Sequence, residues 1–512
     1  MPGKAQGRVV MVQGTTSHAG KSVLATALCR IFAQDGFRVA PFKAQNMSLN
    51  SFVTAEGGEI GRAQAVQAEA ARVAPTVDMN PVLLKPEGER RSQVIVLGKV
   101  EERASAREYY AMKMRLWPEV AAALDRLRET FEVVVIEGAG SPAEINLKEH
   151  EIVNMRVARY AKAPVFLVAD IDRGGVFASL VGTMELLESE ERKLVRGLVI
   201  NKFRGDPTLL DSGLEMLVQR TGKPVAGVLP YFTDVHIPQE DSLGLDPHRD
   251  DTEAWVLDVA AVRLPHLANF DDMDPLSREA GVRLRYVTDT QGFGEPDLIV
   301  VPGSKTTMAD LEWMKERGLD KAIVARRRSG TPVVGICGGY QMLGSRILDP
   351  NGVESGSHEM EGLGLLRQET VFETSKATDQ IEAMVVDARG MLARCDGTPL
   401  RGYEIHMGRT SGLEASAPLR VVRRSGAAVS DRDGAVDEQG LTMGTYLHGL
   451  FHNDGFRRAL LEELASWKGV ELPPAASSTA DQEYDKLAAL VREHLDVGLV
   501  YRSMGIEKGV RK

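Results

Sequence analysis

A run of glycine and hydroxyl residues near the start of the chain has the chemistry of a phosphate site. It extends from Gly14 to Ser22, follows the strand-like stretch Val9–Val12 and precedes a helical segment. Glycine lets successive backbone N–H groups converge on an anion, and a helix N-terminus behind them adds a favourable dipole. In such a loop Lys21 would lie against the β- and γ-phosphates of a nucleotide, and the Ser22 hydroxyl would ligate Mg²⁺. The predicted ATP-binding residues of this loop are Gly14, Thr15, Thr16, Ser17, Ala19, Gly20, Lys21 and Ser22.

Two carboxylates that could share the Mg²⁺ occur later in the first half. Glu137 and Asp170 each come directly after an apolar, β-branched run. Parallel sheets place ligand chemistry at the carboxyl ends of their strands, and Mg²⁺ prefers oxygen ligands. We therefore predict that Ser22, Glu137 and Asp170 hold the metal. Asn201, which ends a further apolar run, could bind adenine through its amide or serve only as a turn residue.

One cysteine in the second half has the surroundings of a nucleophile. Cys337 stands between the apolar run Val333–Ile336 and a helical segment, with Gly335, Gly338 and Gly339 close by. A sharp strand-to-helix turn needs such small neighbours and presents the sulfur at its apex, where the helix N-terminus favours the thiolate. The pattern therefore predicts Cys337 as a catalytic nucleophile.

A thiolate nucleophile also needs a base and an oxyanion hole. The predicted catalytic base is His448, which lies on a short apolar stretch framed by glycines in the same half of the chain. Gly303 follows another strand-like run, so its backbone N–H and that of Gly338 are the predicted oxyanion donors.

Two series of apolar strands and intervening helices must position these groups. This alternation predicts parallel sheets covered on both faces, in two unlike α/β domains. The series is interrupted by a polar, acidic stretch near residues 231–252. The predicted division is a P-loop domain over residues 1–232, a linker over 233–253, a second α/β domain over 254–455 and a C-terminal helical extension over 456–512.

Composition bounds the possible functions. The chain has 512 residues, of which 43% are hydrophobic and 26% charged, and these proportions exclude a disordered or fibrous protein. A formal net charge of −10 argues against a nucleic-acid or membrane partner, since both require clustered positive charge. Three cysteines without paired spacing indicate neither a disulfide framework nor a zinc site. We therefore expect a reduced, cytoplasmic protein.

Longer segments carry a resemblance to a known family. Five residues separate Gly14 from Gly20, one more than in the usual Walker A loop, which is similar to the dethiobiotin synthetase-like branch of P-loop enzymes. The cysteine turn, the loop at Gly303 and His448 resemble a class I glutamine amidotransferase domain. The segments that resemble the cobyric acid synthases, within the CobB/CobQ-type amidotransferase family, are 43–50, 137–147, 170–177 and 402–408.

The resemblance implies an ATP- and glutamine-dependent amidation in cobalamin biosynthesis. The family amidates the b, d, e and g side-chain carboxylates of adenosylcobyrinic acid a,c-diamide to give adenosylcobyric acid. ATP would convert each carboxylate to an acyl phosphate, and ammonia released from glutamine at Cys337 would displace the phosphate. The implied partners are a corrinoid substrate, glutamine and ATP with Mg²⁺, without a prosthetic group. The oligomeric state does not follow from the sequence.

Two other functions are weighed against this one. The sister enzymes, cobyrinic acid a,c-diamide synthases, usually carry Lys-x-Gly-Pro-Asp-Tyr where this chain has the six residues from Lys43 to Ser48. A ParA/MinD-like ATPase switch would carry a lysine five residues before the loop lysine, where this chain has Thr16. Such switches also lack a glutaminase half.

The resemblance leaves one catalytic position open. Many class I domains place a glutamate two residues after the catalytic histidine, where it orients the imidazole, but this chain has Leu450 there. We hypothesise that Glu404 or another nearby acceptor partly replaces it, because the stretch around Glu404 is polar where a buried strand end would be apolar.

Overall fold

A computed structural model describes residues 6–87, 91–238, 255–354, 357–412, 416–474 and 479–507. Its first part contains, in chain order, β1 (Arg8–Gly14), α1 (Lys21–Gln34), β2 (Val39–Phe42), β3 (Gln45–Met47), β4 (Ser51–Val53), β5 (Glu59–Gly61), α2 (Arg62–Ala70), β6 (Val82–Glu87), β7 (Arg91–Val96), β8 (Lys99–Ser105), α3 (Ala106–Thr130), β9 (Val133–Glu137), α4 (Met155–Ala161), β10 (Val165–Asp170), α5 (Val176–Leu186), α6 (Ser189–Leu194), β11 (Val195–Phe203), α7 (Asp211–Thr221) and β12 (Val225–Pro230).

The second part continues with β13 (Leu257–Val262), α8 (Asp274–Arg278), β14 (Val282–Val287), β15 (Leu298–Val301), α9 (Thr307–Glu316), α10 (Leu319–Arg328), β16 (Val333–Ile336), α11 (Gly338–Leu343), β17 (Arg346–Leu348), β18 (Glu359–Glu361), β19 (Glu369–Val385), β20 (Pro399–Ser411), β21 (Leu419–Arg424), β22 (Ala427–Asp433), β23 (Ala435–Val436), β24 (Thr442–Thr445), α12 (Asp454–Lys468), α13 (Ala480–His494) and α14 (Val497–Ser503).

The first domain is built on a six-stranded sheet in the order β12-β11-β10-β1-β9-β2, with all neighbours parallel. Its central strands are almost wholly apolar and buried, as expected of a sheet covered by helices on both faces. β1 lies between β10 and β9, so the loop that follows Gly14 emerges between the ends of two neighbouring strands. That is the position where doubly wound sheets bind ligands.

The first domain also carries a smaller sheet in the order β3-β6-β7-β8, beside the two-stranded pair β4-β5. Sequence periodicity did not predict this sheet. Its edge strand β8 is largely exposed and carries Glu101 and Glu102, so no apolar run marks it. This sheet faces the second domain and contributes side chains to the site described below.

The second domain has a mainly parallel sheet in the order β14-β13-β15-β16-β24-β23, of which only the edge strand β23 is antiparallel. Beside it lies a mainly antiparallel sheet built around the long strands β19 and β20, which pair with each other, while β17 joins β19 in parallel. The parallel sheet brings the ends of β15, β16 and β24 side by side. Residues that follow those three strands can therefore converge on one site.

The helices of the predicted C-terminal extension pack against both domains. Helix α12 packs into the core of the second domain through Phe456, Leu460 and Leu461. The chain then returns to the first domain, where α13 and α14 pack against α1 and complete its core. Most of the predicted linker, and the tail beyond residue 507, lies outside the described residues. Within the described ranges, no helix has the length and apolar character needed to cross a membrane.

Candidate active site

The loop after β1 has the backbone of a phosphate cradle. Gly20 adopts a left-handed conformation with φ of 101°, and helix α1 begins at the next residue, Lys21. A Cβ atom on Gly20 would lie 1.9 Å from Nδ2 of Asn201, so only glycine fits there. Lys21 folds back over the loop and donates from Nζ to the carbonyl of Thr16 at 2.9 Å. The helix N-terminus and the lysine thus lie at the same end of the loop.

Two residues near the end of β11 support this loop from the sheet side. Asn201 donates from Nδ2 to the carbonyl of Ala19 at 3.0 Å, and Lys202 donates from Nζ to the carbonyl of His18 at 3.0 Å. Asn201 is buried and therefore holds the loop in shape. Adenine recognition by Asn201 stays a prediction.

Glu137 lies at the end of β9, buried beside the phosphate loop. Ser22 donates from Oγ to Oε1 of Glu137 at 2.8 Å, and Lys43 Nζ lies 3.0 Å from the same oxygen. Gln67 donates from Nε2 to the second oxygen, Oε2, at 2.5 Å. A hydroxyl and a carboxylate oxygen this close together are the hard donors that Mg²⁺ prefers, with phosphate and water completing its shell. The residues present therefore fit a nucleotide-bound magnesium ion.

The predicted third metal ligand, Asp170, ends the strand on the other side of β1 from Glu137. In the register of the sheet Glu137 lies beside Val12, whereas Asp170 lies two residues beyond the partner of Gly14, on the other side of β1. Its carboxylate is already matched by Lys202, whose Nζ lies 2.7 Å away. Over the part of the chain that the structure describes, no group of three His, Cys, Asp or Glu side chains could hold a metal. A role for Asp170 beside Ser22 and Glu137 stays a prediction.

Cys337 lies at a strained turn between β16 and α11. Its φ is 51°, in the left-handed region that residues with a side chain rarely adopt. A Cβ atom on Gly339 would lie 1.9 Å from the carbonyl oxygen of Val301, and one on Gly338 would lie 2.9 Å from the backbone nitrogen of Ser304. The glycines thus let the turn press against the loop after β15, and this close packing holds the strained cysteine in place.

His448 forms a hydrogen-bonded pair with a carboxylate that the sequence did not single out. Nδ1 of His448 lies 2.7 Å from Oδ2 of Asp272, and the other carboxylate oxygen accepts the N–H of Gly449 at 2.6 Å. Tyr403 stacks on the imidazole, with ring centroids 5.4 Å apart. Asp272 thus fixes the ring orientation and leaves Nε2 for chemistry. The available signal was the acidic run after β13, in a domain that already contained a nucleophile and a base.

Of the two alternatives for orienting His448, the structure shows another acceptor, Asp272, and not Glu404. Glu404 forms a close ion pair with Arg424 of β21, a strand that also pairs with β19, and its other oxygen lies 3.8 Å from Nε2 of His406. Its charge is therefore already matched. Asp272, more than 170 residues before His448 in the chain, takes the place that Leu450 leaves open.

The electrostatics of the cysteine and histidine favour an ion pair. Burial alone raises the pKa of the Cys337 thiol, but the positive charge of His448 outweighs it and holds that pKa below the ordinary value. Burial lowers the pKa of His448, but Asp272 and the Cys337 sulfur outweigh it and raise that pKa to about 10. Both shifts favour a thiolate beside an imidazolium.

The two predicted oxyanion donors lie next to this pair. Gly303 lines the cavity at Cys337, and a Cβ atom there would lie 3.1 Å from Cε1 of His448. The backbone N–H of Gly338 acts on the Cys337 sulfur and helps to lower its pKa. Both groups are close enough to serve the nucleophile, and their oxyanion role stays a prediction.

Cys337 and His448 open into a cavity of about 500 Å³ between the two domains. The first domain contributes part of the wall through Lys85 and Glu87 of β6. Glu87 binds Lys305 of the second domain at 2.7 Å. Glu59 of the first domain binds Lys85 at 2.7 Å and also contacts Lys376 of the second domain. These buried charge pairs cross the interface at the mouth of the candidate site.

Family models match both parts of the chain. Residues 10–243 match the CobQ/CobB/MinD/ParA nucleotide binding domain, and residues 258–456 match the CobB/CobQ-like glutamine amidotransferase domain. Similarity to curated proteins extends over nearly the whole chain. A cobyric acid synthase from Sorangium cellulosum is 53% identical over 516 residues, which cover 98% of this chain and 99% of that protein. The chain belongs to the cobyric acid synthase family.

Two further curated relatives carry the same name and align over nearly the full length of this chain. Cobyric acid synthases from Dehalococcoides mccartyi and Moorella thermoacetica are 51% and 50% identical, over 97% and 98% of this chain respectively. Each alignment covers 98% of the relative. The fold expectation of a P-loop domain followed by a glutamine amidotransferase domain is confirmed, and the protein is a glutamine-dependent amidating ligase of cobalamin biosynthesis.

Proposed function

We propose that this protein amidates the b, d, e and g side-chain carboxylates of adenosylcobyrinic acid a,c-diamide with ATP and glutamine, giving adenosylcobyric acid. The observation that carries the proposal is the Cys337–His448–Asp272 arrangement in a cavity that the ATP-binding domain helps to close. The family to which the chain belongs supplies the substrate class.

The glutaminase half begins with attack of the Cys337 thiolate on the side-chain amide carbon of glutamine. The resulting oxyanion would accept hydrogen bonds from the backbone N–H groups of Gly303 and Gly338. The His448 imidazolium donates its Nε2 proton to the departing nitrogen, so the C–N bond breaks and ammonia leaves. Neutral His448 then takes a proton from water, which hydrolyses the thioester to glutamate and restores the thiolate.

The synthetase half activates the corrinoid carboxylate. A carboxylate oxygen attacks the γ-phosphorus of ATP and displaces ADP, which gives an acyl phosphate. Lys21 and the backbone N–H groups of the phosphate loop would stabilise the transferring group. Ser22 and Glu137 would hold a Mg²⁺ ion, which when bound neutralises phosphate charge. Ammonia then attacks the acyl carbon, phosphate leaves, and the amide forms after loss of a proton.

Ammonia has to reach the acyl phosphate as the neutral base, because in bulk water at neutral pH it is protonated and unreactive. The Cys337 cavity faces the first domain, and the charge pairs of Glu59 and Glu87 cross between the domains there. We propose that this interface keeps the released ammonia from bulk water. No prosthetic group enters the proposed reaction.

Mass spectrometry of the corrinoid product tests the proposal. Incubation of adenosylcobyrinic acid a,c-diamide with the protein, MgATP and glutamine should give stepwise conversion of four carboxylates to amides. Adenosylcobyrinic acid, offered in a parallel reaction, should not be amidated at a and c. Amidation of that second substrate at a and c would reassign the activity to the sister enzymes. A lack of any amidation, with ATP-dependent self-association in its place, would indicate a ParA/MinD-like switch.

A further inference from the structure

Each of the three residues that precede Asp272 contacts the first domain. Asn269 and Ser51 exchange two hydrogen bonds at 3.3 Å, one from each residue's nitrogen. Phe270 donates its N–H to Oδ1 of Asn50 at 3.0 Å. The next residue, Asp271, lies with Oδ2 2.9 Å from Nε of Arg62. The first domain thus holds the three residues that directly precede the triad carboxylate.

Arg62 is itself held rigidly at the start of α2. Its backbone N–H donates to the carbonyl of Asn50 at 3.2 Å, and its guanidinium also binds Glu69 at 3.0 Å. The guanidinium lies 5.4 Å from the centroid of the Phe52 ring. The side chain is only 9% exposed. A buried arginine with this many contacts has little freedom to move away from Asp271.

The buried charges around Asp271 and Asp272 are closely balanced. Asp271 and Asp272 are adjacent and both almost fully buried. Burial raises the pKa of Asp271, and the neighbouring charge of Asp272 raises it further, whereas Arg62 opposes both. Without a cation here, two buried carboxylates would face each other and one would take up a proton. Asp272 could then no longer act as the undisturbed acceptor of the His448 Nδ1 proton.

We propose that Arg62, a residue of the ATP-binding domain, is a positioning residue for the glutaminase, because it holds Asp271 and thereby the Asp272–His448 pair in place. The assignment rests on the proposed role of Cys337 and His448. It makes the glutaminase site dependent on both domains, since Asp271 pairs with Arg62 of the first domain at 2.9 Å, whereas His452 of the second domain lies 4.0 Å away. Arg62 does not contact the reacting atoms.

The test uses the full-length chain with Arg62→Met, which keeps an unbranched side-chain stem and removes the guanidinium charge. Three quantities are measured: kcat and KM for glutamine hydrolysis, ammonia-supported synthesis, and the pH dependence of Cys337 alkylation by iodoacetamide. We expect kcat to fall on the order of 100-fold, as for other misplaced catalytic groups, with KM within about threefold. Ammonia-supported synthesis should stay within about threefold, and alkylation should shift to higher pH by about one unit.

The alkylation profile reports on the whole charged cluster, in which Asp274, Tyr286, Tyr403, His448 and His452 face the Asp271–Asp272 pair and Glu69 faces Arg62. Arg62→Lys should recover part of kcat and of the profile because it restores the charge. Arg72→Met is the matched control, since Arg72 is exposed and pairs only with the exposed Asp481. It should leave every quantity unchanged.

Two results would overturn the proposal. One is an Arg62→Met protein with wild-type kcat and alkylation profile. The other is a folded Arg62→Met protein that loses synthesis equally with both nitrogen sources, which would indicate a general structural role. Cys337→Ala is measured in parallel: if it retained glutamine hydrolysis, the proposed function itself would fail, and that failure is distinct from either result with Arg62.

Discussion

The charges of Cys337 and His448 depend on one another and on Asp272. The thiolate is stabilised by the imidazolium, and the imidazolium by the carboxylate at 2.7 Å. Because all three side chains are almost fully buried, water screens these interactions little. The reactivity of the sulfur therefore reports on the whole arrangement.

The pH dependence of glutamine hydrolysis should follow this ion pair. Since the pKa of Cys337 is lowered and that of His448 is raised to about 10, kcat/KM should rise well below the ordinary thiol pKa of ~8.5. It should stay level through neutral pH and fall as the pH passes about 10, where the imidazolium loses the proton that the leaving nitrogen needs. A profile that rises only near the ordinary thiol pKa would contradict the ion pair.

Asp272→Asn should lower kcat for glutamine hydrolysis, because the amide cannot stabilise the imidazolium as the carboxylate does. We expect a loss on the order of 100-fold with ammonia-supported synthesis retained. Glu404→Gln is the comparison variant, since Glu404 pairs with Arg424 and does not contact His448. It should keep glutaminase turnover within about twofold. Equal losses of glutaminase turnover in both variants would contradict the assignment of Asp272, rather than Glu404, as the residue that orients His448.

Residue types and local spacing were enough to predict the phosphate loop, Glu137, Cys337 and His448. Each of these stands at a turn whose glycines or strand context are visible in a few consecutive residues. Asp272 was missed because its partner lies 176 residues away. Strand ends such as those at Glu137 and Asp170 look alike in sequence, and only the sheet register shows that they lie on opposite sides of β1.

The element that joins the two active sites is helix α2. Its first residue, Arg62, faces the glutaminase side, and Gln67 faces Glu137 beside the phosphate loop. These positions are five residues apart, about 7.5 Å along a helix. Helix α2 therefore contacts both Glu137, the candidate metal ligand of one site, and Asp271, the residue that precedes Asp272 in the other.

The proposed mechanism places the two half-reactions on different strand-to-helix turns, so they should be separable by mutation. Cys337→Ala should abolish glutamine-supported synthesis and retain ammonia-supported synthesis, because only the nitrogen source is lost. Lys21→Ala should abolish synthesis from either source, since the phosphate loop serves both. Product formation is measured with glutamine and, separately, with ammonium chloride. An active Lys21→Ala protein would contradict the role assigned to the phosphate loop. Glutamine-supported synthesis by Cys337→Ala would contradict the role of Cys337 as the nucleophile.

The sequence pattern predicted the parallel strands but not the mainly antiparallel sheets. β1, β9, β10 and β16 are continuous apolar runs, buried from both faces. By contrast, β8 and β19 mix charged and apolar residues and are only partly buried. Their pairing depends on contacts with distant strands, which a local pattern does not contain.

At the scale of the whole molecule, the chain ends by returning to the domain where it began. Helix α13 packs on α1, the helix that carries Lys21, and Leu487 lies in their shared core. On the same face the buried Arg30 binds Asp481 and Asp485 of α13 at 2.8 and 2.7 Å. The last helices therefore stabilise the ATP-binding domain rather than the domain that precedes them in sequence.

Leu487→Ala should destabilise the first domain by about 3 kcal/mol, as other large-to-small core substitutions do. In calorimetry, the affected transition should be the one that MgATP shifts upward, because ligand binding marks the domain that holds the nucleotide. Glu493→Ala, at an exposed position of the same helix, is the control and should leave both transitions in place. A shift confined to the transition that MgATP does not affect would show that α13 stabilises the other domain.

The central claim is that one chain takes nitrogen from glutamine at Cys337 and delivers it to a carboxylate activated at the phosphate loop. The most direct measurement is isotope transfer: glutamine with a heavy amide nitrogen is supplied together with adenosylcobyrinic acid a,c-diamide, MgATP and unlabelled ammonium. We predict that the new corrinoid amides carry the heavy nitrogen in preference to the unlabelled nitrogen from solution. Product amides that carry the solution nitrogen, or glutamate release without any corrinoid amide, would contradict the account.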